Sequence, residues 1–203
     1  MMLSIIIPCY NEKNTIEKVV DQLNSLKIKK QIILVDDCSN DGTTKIIENI
    51  KKKLDKVVFH KKNLGKGGAI KSAKPFINGD YVVIQDADLE YEPKNLTHML
   101  NLMIDKKYNV LYGSRVLGGN RYIDNNNFTS FFRIFANHML TIFSNIVNKQ
   151  KLTDAHTCYK MFKKDIFNKK ILKENGFSFC PEINTKVSNL NIDIYETPID
   201  YKG

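Results

Sequence analysis

A chain of 203 residues, 42% hydrophobic and 26% charged, has the size and balance of one soluble globular domain with a substantial core. The net charge of +9 points to phosphate-bearing or polyanionic partners, or to an anionic membrane surface, without choosing among them. The four cysteines, Cys9, Cys38, Cys158 and Cys180, form no CxxC pair and lie near no histidine at zinc-finger spacing. They read as free thiols, and with no secretory signal at Met1 the expectation is a cytoplasmic protein, at most peripheral on the cytoplasmic face of a membrane.

Leu3 to Ile7 is an apolar, β-branched run that reads as a buried strand, stopped by Pro8. The loop Cys9-Tyr10-Asn11-Glu12 follows, and Asn14 with Glu17 fits a capping box for a helix to about Leu26. Gln31 to Val35 is a second buried strand, ending in Asp36 and Asp37. Turn chemistry then leads into helical spacing from Thr43 to Lys53. Lys56 to Phe59 is a short third strand. Asn63 to Gly68 is a glycine-rich loop opening a helix to about Phe76. Tyr81 to Gln85 is the fourth strand, Pro93 to about Lys106 a helix, and Asn109 to Tyr112 a fifth strand. After a polar loop at Gly118 to Asn127, Phe128 to about Asn148 is an amphipathic helix. Arg133, Asn137, His138, Ser144 and Asn145 interrupt it and make it a poor transmembrane span. Leu152 to Tyr159 reads as a loop, Met161 to Phe167 as a short strand and turn, Glu182 to Leu190 as a helix and Ile192 to Tyr201 as a final strand. Alternating strands and helices predict an α/β fold, a mostly parallel central sheet flanked by helices, with ligands at the carboxyl ends of the strands. No repeat or second-domain boundary divides 1–203.

The fourth strand runs into Asp86, Asp88 and Glu90, spaced two apart. In an extended segment such residues point the same way, so the three carboxylates are expected to converge. They would need a cation or protons to do so, and oxygen-only ligation suits Mg²⁺ or Mn²⁺ beside substrate phosphates. A solvated acidic turn is the alternative. Asp36 and Asp37 are placed to accept hydrogen bonds from a ribose or a base N–H, or to cap the next loop. The 63–68 loop lacks the Gly-Lys-Ser/Thr ending of a Walker A motif, yet it can offer backbone N–H groups and Lys66 to a diphosphate, or be a plain turn. Arg115 and Arg133 can clamp a phosphate, Arg133 equally being a solvated arginine. Asp154 sits in a Thr-Asp loop, where an acid is either a cap or, beside a sugar, a general base. Glu182 lies in the same less regular third. Of the histidines, only His156, two residues from Asp154, has a site-like setting.

With these residues laid out, the sequence resembles a family 2 glycosyltransferase of GT-A fold, most closely the dolichol-phosphate mannose/glucose synthase-like branch. Seven pieces match in order: 4–12 (SIIIPCYNE), 33–43 (ILVDDCSNDGT), 63–70 (NLGKGGAI), 82–90 (VVIQDADLE), 112–115 (YGSR), 152–162 (LTDAHTCYKMF) and 176–187 (GFSFCPEINTKV). The resemblance implies a nucleotide-sugar-binding half at 1–115 and an acceptor-side half at 116–203. Pro8, Tyr10, Glu12, Asp37, Lys66, Asp86 and Ala87 would line the donor site. Asp86 and Asp88 are the DxD-type pair, with Glu90, where many relatives have Gln, as a third contact to the metal. Asp88 and Asp154 would carry the catalysis. Arg115 and Arg133 would face the acceptor.

The implied reaction is inverting transfer of a hexosyl group from a UDP- or GDP-sugar, with Mg²⁺ or Mn²⁺, to a polyprenyl phosphate. A glycan hydroxyl acceptor, or a non-catalytic nucleotide-sugar-binding protein, is the alternative. Peripheral membrane contact fits a lipid acceptor, and nucleic acid is not among the implied partners. Many membrane-linked relatives carry C-terminal transmembrane helices, and relatives commonly continue past Tyr201-Lys202-Gly203 into a basic segment; neither is in this sequence, so the expectation is either a short member or a truncated chain. Val35-Asp36-Asp37 also resembles the acidic Mg²⁺ pocket of a signalling receiver module. Against that, a strand-helix unit precedes the pair here, and the sugar-site loops follow it.

Overall fold

A computed structural model describes residues 1–118, 128–169, 172–176 and 178–202, with backbone alone for 128–133. Among the described residues seven strands form one sheet: β1 (Leu3–Cys9), β2 (Lys30–Asp36), β3 (Lys56–Phe59), β4 (Tyr81–Ile84), β5 (Val110–Ser114), β6 (Lys160–Lys163) and β7 (Tyr195–Pro198). Their spatial order is β3-β2-β1-β4-β6-β5-β7. β1 pairs in parallel with β2 and β4, β2 with β3, and β5 with β7. β6 alone runs antiparallel, against both β4 and β5. The expected mostly parallel sheet is therefore present, with one reversed strand near its middle.

The strands are apolar throughout because both faces of the sheet are covered. Successive side chains serve opposite cores. Leu3, Ile5, Ile7, Ile32, Leu34, Tyr81 and Val83 enter one, and Ile6, Ile33, Val35, Val82 and Ile84 the other. The first core is closed by α1 (Ile16–Ser25), α2 (Thr43–Ile50) and α4 (Asn95–Asp105). The second is closed by α3 (Gly65–Ala73), α6 (Lys164–Lys169) and α7 (Phe179–Ser188). Each fully buried isoleucine contributes about 1.5–3 kcal/mol, which makes β1, with Ile5, Ile6 and Ile7 all buried, the spine of the sheet.

The local departures from expectation have physical causes. No capping box forms at α1. Glu12 instead makes the turn, its carbonyl accepting the Thr15 and Ile16 N–H groups and its carboxylate the Thr15 hydroxyl at 2.6 Å. Glu17 meanwhile faces Lys53 at 3.6 Å. Residues 164–169 form α6 where a turn was predicted. α7 starts at Phe179, ahead of the predicted Glu182, because Phe179, Ile183 and Val187 make one buried stripe.

The long helix α5 (Phe128–Asn148) matches its predicted bounds. No helix of the described residues is long and apolar enough to cross a membrane. Because β6 is reversed, it begins at the edge where β5 ends. The chain leaves that edge after Ser114 and is back at it by Lys160.

Candidate functional site

A cavity of about 400 Å³ opens at the carboxyl ends of β1, β2 and β4, within the range of small-molecule sites. Pro8, Tyr10, Glu12, Asp37, Lys66, Asp86, Ala87 and Asp88 all line it. Residues drawn from four separate loops thus converge on one concavity, because parallel strands end on the same side. Cys9, Asn63, Gly65 and Ala69 line it as well. Cys9 and Ala69 lie inside the 4–12 and 63–70 pieces but carry no site-like chemistry in the sequence; both are small apolar residues that shape the wall.

The two aspartates that end β2 divide their work. Asp36 is buried and caps the following loop, accepting from the Ser39 hydroxyl at 2.6 Å, the Ser39 N–H at 3.2 Å and the Thr44 hydroxyl at 2.6 Å. Asp37 anchors the glycine-rich loop, accepting the N–H groups of Leu64 at 2.8 Å and Gly65 at 2.7 Å. His60 Nδ1 lies 2.6 Å from Asp37 Oδ1, and its Nε2 lies 2.8 Å from the Ser72 hydroxyl on α3. His60 was not singled out in sequence; its one signal was a polar residue directly after a strand.

The glycine-rich loop is built differently from a phosphate cradle. The N–H groups of Leu64 and Gly65 point into Asp37, and that of Gly68 into the Asn175 carbonyl at 3.0 Å. Gly65 has φ +79°, and a Cβ there would stand 2.6 Å from the Asn175 carbonyl oxygen. A Cβ on Gly67 would stand 2.5 Å from that of Glu174. The glycines are required because residues 172–176 pack directly on the loop. Glu182 fixes this segment, accepting the Lys173 and Glu174 N–H groups at 2.7 and 3.0 Å. What the loop sends into the cavity is the Lys66 side chain.

Lys66 Nζ donates to Asp86 Oδ1 at 2.5 Å and to Cys158 Sγ at 3.2 Å. Burial pushes the Lys66 pKa down, but the Asp86 carboxylate more than reverses this and the pKa is raised. Cys158 is pushed up to about 12, by burial first and by Asp86 second, so it stays a thiol. Asp88 is also pushed up, to about 7, by burial and then by its neighbours Asp86, Glu90 and Glu12, against the Glu90 N–H it accepts at 3.0 Å.

The expected convergence of three acids does not occur in this structure. Glu90 Oε2 accepts the Tyr201 hydroxyl at 2.7 Å, and Glu90 does not line the cavity. Among the described residues no group of three or more His, Cys, Asp or Glu is placed to hold a metal ion. Two carboxylates, Asp86 and Asp88, face the cavity, and the second oxygen of Asp88 accepts no protein hydrogen bond among the described residues. A pair of hard oxygen donors fits Mg²⁺ or Mn²⁺ when a phosphate ligand completes the shell.

Arg115 and Asp154 meet outside the cavity lining. Arg115 Nε and Nη2 donate to Asp154 Oδ2 and Oδ1 at 2.7 and 2.9 Å, a bidentate pair in which Asp154 is fully buried. The Thr153 and Asp154 N–H groups donate to Glu196 at 2.7 and 3.0 Å. The loop beyond is shaped by Lys160, fully buried on β6, whose ammonium donates to the carbonyls of Ala155 at 2.9 Å and Thr157 at 2.7 Å. His156 is half-buried within that loop. The Arg133 side chain lies outside the described residues.

The chain matches the model of the family described as glycosyl transferase family 2 over residues 4–170. It is 27% identical over 203 residues to the low-salt glycan biosynthesis hexosyltransferase Agl6 of Haloferax volcanii, covering 98% of this chain and 47% of that protein. It is 26% identical to the dolichyl-phosphate beta-glucosyltransferase ALG5A of Trichomonas vaginalis, covering 98% and 65%. The chain thus spans about half to two thirds of the length of these relatives. Among solved structures, the glucosyl-3-phosphoglycerate synthase of Mycobacterium tuberculosis, in complex with Mn²⁺, UDP and glucosyl-3-phosphoglycerate, superposes with a TM-score of 0.69. That match is 14% identical and covers 100% of this chain and 72% of that one, a likeness of fold.

Proposed function

The chain belongs to glycosyl transferase family 2 and has its GT-A fold, and from this premise we propose that it moves a hexosyl group from a UDP- or GDP-sugar to a polyprenyl phosphate. The observation that carries the proposal is the cavity itself, which gathers every residue assigned to the donor side at the carboxyl edge of one sheet. Relatives named as a hexosyltransferase and a dolichyl-phosphate glucosyltransferase support the same class.

In this reading Pro8, Tyr10, Glu12 and Ala87 wall the nucleoside and Asp37 holds the loop that flanks it. Lys66 meets the diphosphate, exchanging its bond to Asp86 for one to a phosphate oxygen. Asp86 and Asp88 would hold Mg²⁺ or Mn²⁺, Mn²⁺ being the ion in the solved synthase, and the ion would supply positive charge against the leaving diphosphate. Arg115 faces the acceptor phosphate, with Asp154 fixing its guanidinium. Both Asp154 oxygens already accept from Arg115, which suits an orienting group rather than a base. A phosphate acceptor, ionised at neutral pH, needs no base.

The helix α5 supports a lipid-borne acceptor. Phe135, Met139, Phe143 and Ile146 are each about half exposed or more, the last at 72%. No Asp or Glu occurs between Asp124 and Asp154, while Lys149 and Lys151 follow the helix. An apolar stripe ending in cations fits an anionic bilayer surface.

A donor screen by nucleotide release tests the proposal. UDP- and GDP-hexoses are offered with Mn²⁺ and dolichyl or undecaprenyl phosphate. Turnover by at least one donor, dependent on metal and lipid phosphate, is expected. Asp154→Asn should lower kcat/KM about 10–100-fold through loss of the Arg115 clamp, with an unaltered pH profile. Metal-dependent donor binding with no turnover would instead identify a non-catalytic nucleotide-sugar-binding protein.

A further inference from the structure

Three acids at two-residue spacing ought to form a three-carboxylate site, and in this chain they do not. Glu90 is instead held by the C-terminal segment. The Tyr201 hydroxyl donates to Glu90 Oε2 at 2.7 Å, and the Lys202 N–H donates to the Glu90 carbonyl at 2.7 Å. Tyr91 and Tyr201 form an antiparallel bridge, their rings edge to face at 5.1 Å. The Arg115 guanidinium lies 5.1 Å from the Tyr201 ring centroid. Lys94 pairs with Asp200 at 3.2 Å, and Lys202 with Glu92. Tyr201 is therefore fixed between the acidic loop and the Arg115–Asp154 pair, with its hydroxyl on the one carboxylate that would complete the cluster.

We propose that Tyr201 is a specificity-determining residue that withholds Glu90 from Asp86 and Asp88, keeping the cation site at two carboxylates so that a donor diphosphate must complete it. The proposal rests on the reading of the cavity as a nucleotide-sugar site. Affinity for a hard divalent cation rises with the number of anionic oxygens in the shell. A three-carboxylate site holds the ion whether or not donor is present. A two-carboxylate site holds it well only with the diphosphate, so ion and donor bind as one unit. The acidic Glu at position 90 makes the restraint necessary, since its free carboxylate would be a strong third ligand.

The test titrates Mn²⁺ into the metal-free full chain, by calorimetry or by the EPR signal of the free ion, with and without UDP or GDP. Wild type should bind Mn²⁺ weakly alone and far more tightly with nucleotide. Tyr201→Phe keeps the ring and removes only the hydroxyl. It should bind Mn²⁺ alone about tenfold more tightly than wild type, and the gain should vanish in Tyr201→Phe/Glu90→Gln. Glu90→Gln alone removes one nearby charge but no ligand, so its metal-only affinity should stay within about threefold of wild type, a measurement independent of how Tyr201→Phe folds. A Tyr201→Phe affinity within twofold of wild type overturns the proposal, as does a loss of about tenfold or more in the Mn²⁺ affinity of Glu90→Gln. Wild type that binds no Mn²⁺ even with nucleotide removes the donor-site reading itself, and this proposal with it.

Discussion

Asp88 is where proton and cation compete for the same oxygens. Its pKa near 7 arises from burial among Asp86, Glu90 and Glu12. A carboxyl whose folded pKa lies above its unfolded value keeps its proton in the folded state while the unfolded chain has released it. Stability of the metal-free protein should therefore fall as pH rises from about 4 to about 7. Asp88→Asn, which imitates the protonated form, should melt at a higher temperature than wild type at pH 8 and at a similar one near pH 4. The same competition should weaken Mn²⁺ binding by about an order of magnitude per unit below pH 7, with a plateau above it. Asp88→Asn should also lose metal-dependent donor turnover, and retained turnover would remove Asp88 from the site. At this scale the place of Asp86 and Asp88 in the cavity was legible because an apolar strand runs straight into them. The place of Glu90, outside the cavity lining, was not, because its partner Tyr201 lies 111 residues away, beyond the reach of any local pattern.

The loop into α3 illustrates what elements contribute beyond motifs. Its glycines suggest backbone offered to a phosphate, whereas in the structure they admit the 172–176 segment at close range. Gly67→Ala forces a Cβ against the Glu174 carbonyl and should cost about 1–3 kcal/mol, lowering Tm by roughly 2–10 °C in a chain of this size. Because Lys66 is adjacent, donor KM should rise as well. Gly176→Ala, where nothing stands within 4 Å of the added Cβ, should leave Tm within about 1 °C and serves as the control. The parallel strands were readable from sequence, since burial on both faces leaves unbroken apolar runs. β6 was harder to read, its four residues, Lys160 to Lys163, starting and ending in lysine. Lys160 is tolerated at full burial only because two loop carbonyls and the Tyr112 ring, 4.3 Å from its ammonium, receive it.

For the molecule as a whole, the exposed stripe of α5 and the net charge of +9 act together. Vesicles containing anionic phospholipid should sediment the protein at low salt, and high salt should weaken this. Phe143→Asp with Ile146→Asp should abolish sedimentation. It should leave Tm nearly unchanged, since the two side chains are 65% and 72% exposed. No co-sedimentation of wild type at low salt would remove the lipid-surface reading. The general architecture was legible because strand and helix signals alternate so regularly through the first 115 residues. The later part was less so, because its contacts join distant segments: Arg115 with Asp154, Tyr112 with Asn184, and Tyr201 with Glu90. The reversed direction of β6 carries one more consequence. The chain leaves the sheet at Arg115 and rejoins it at Tyr159, both on the side where the cavity opens. A change of length between those two points leaves the pairing of β4, β6 and β5 as it is, because both ends of the excursion are anchored at the same edge.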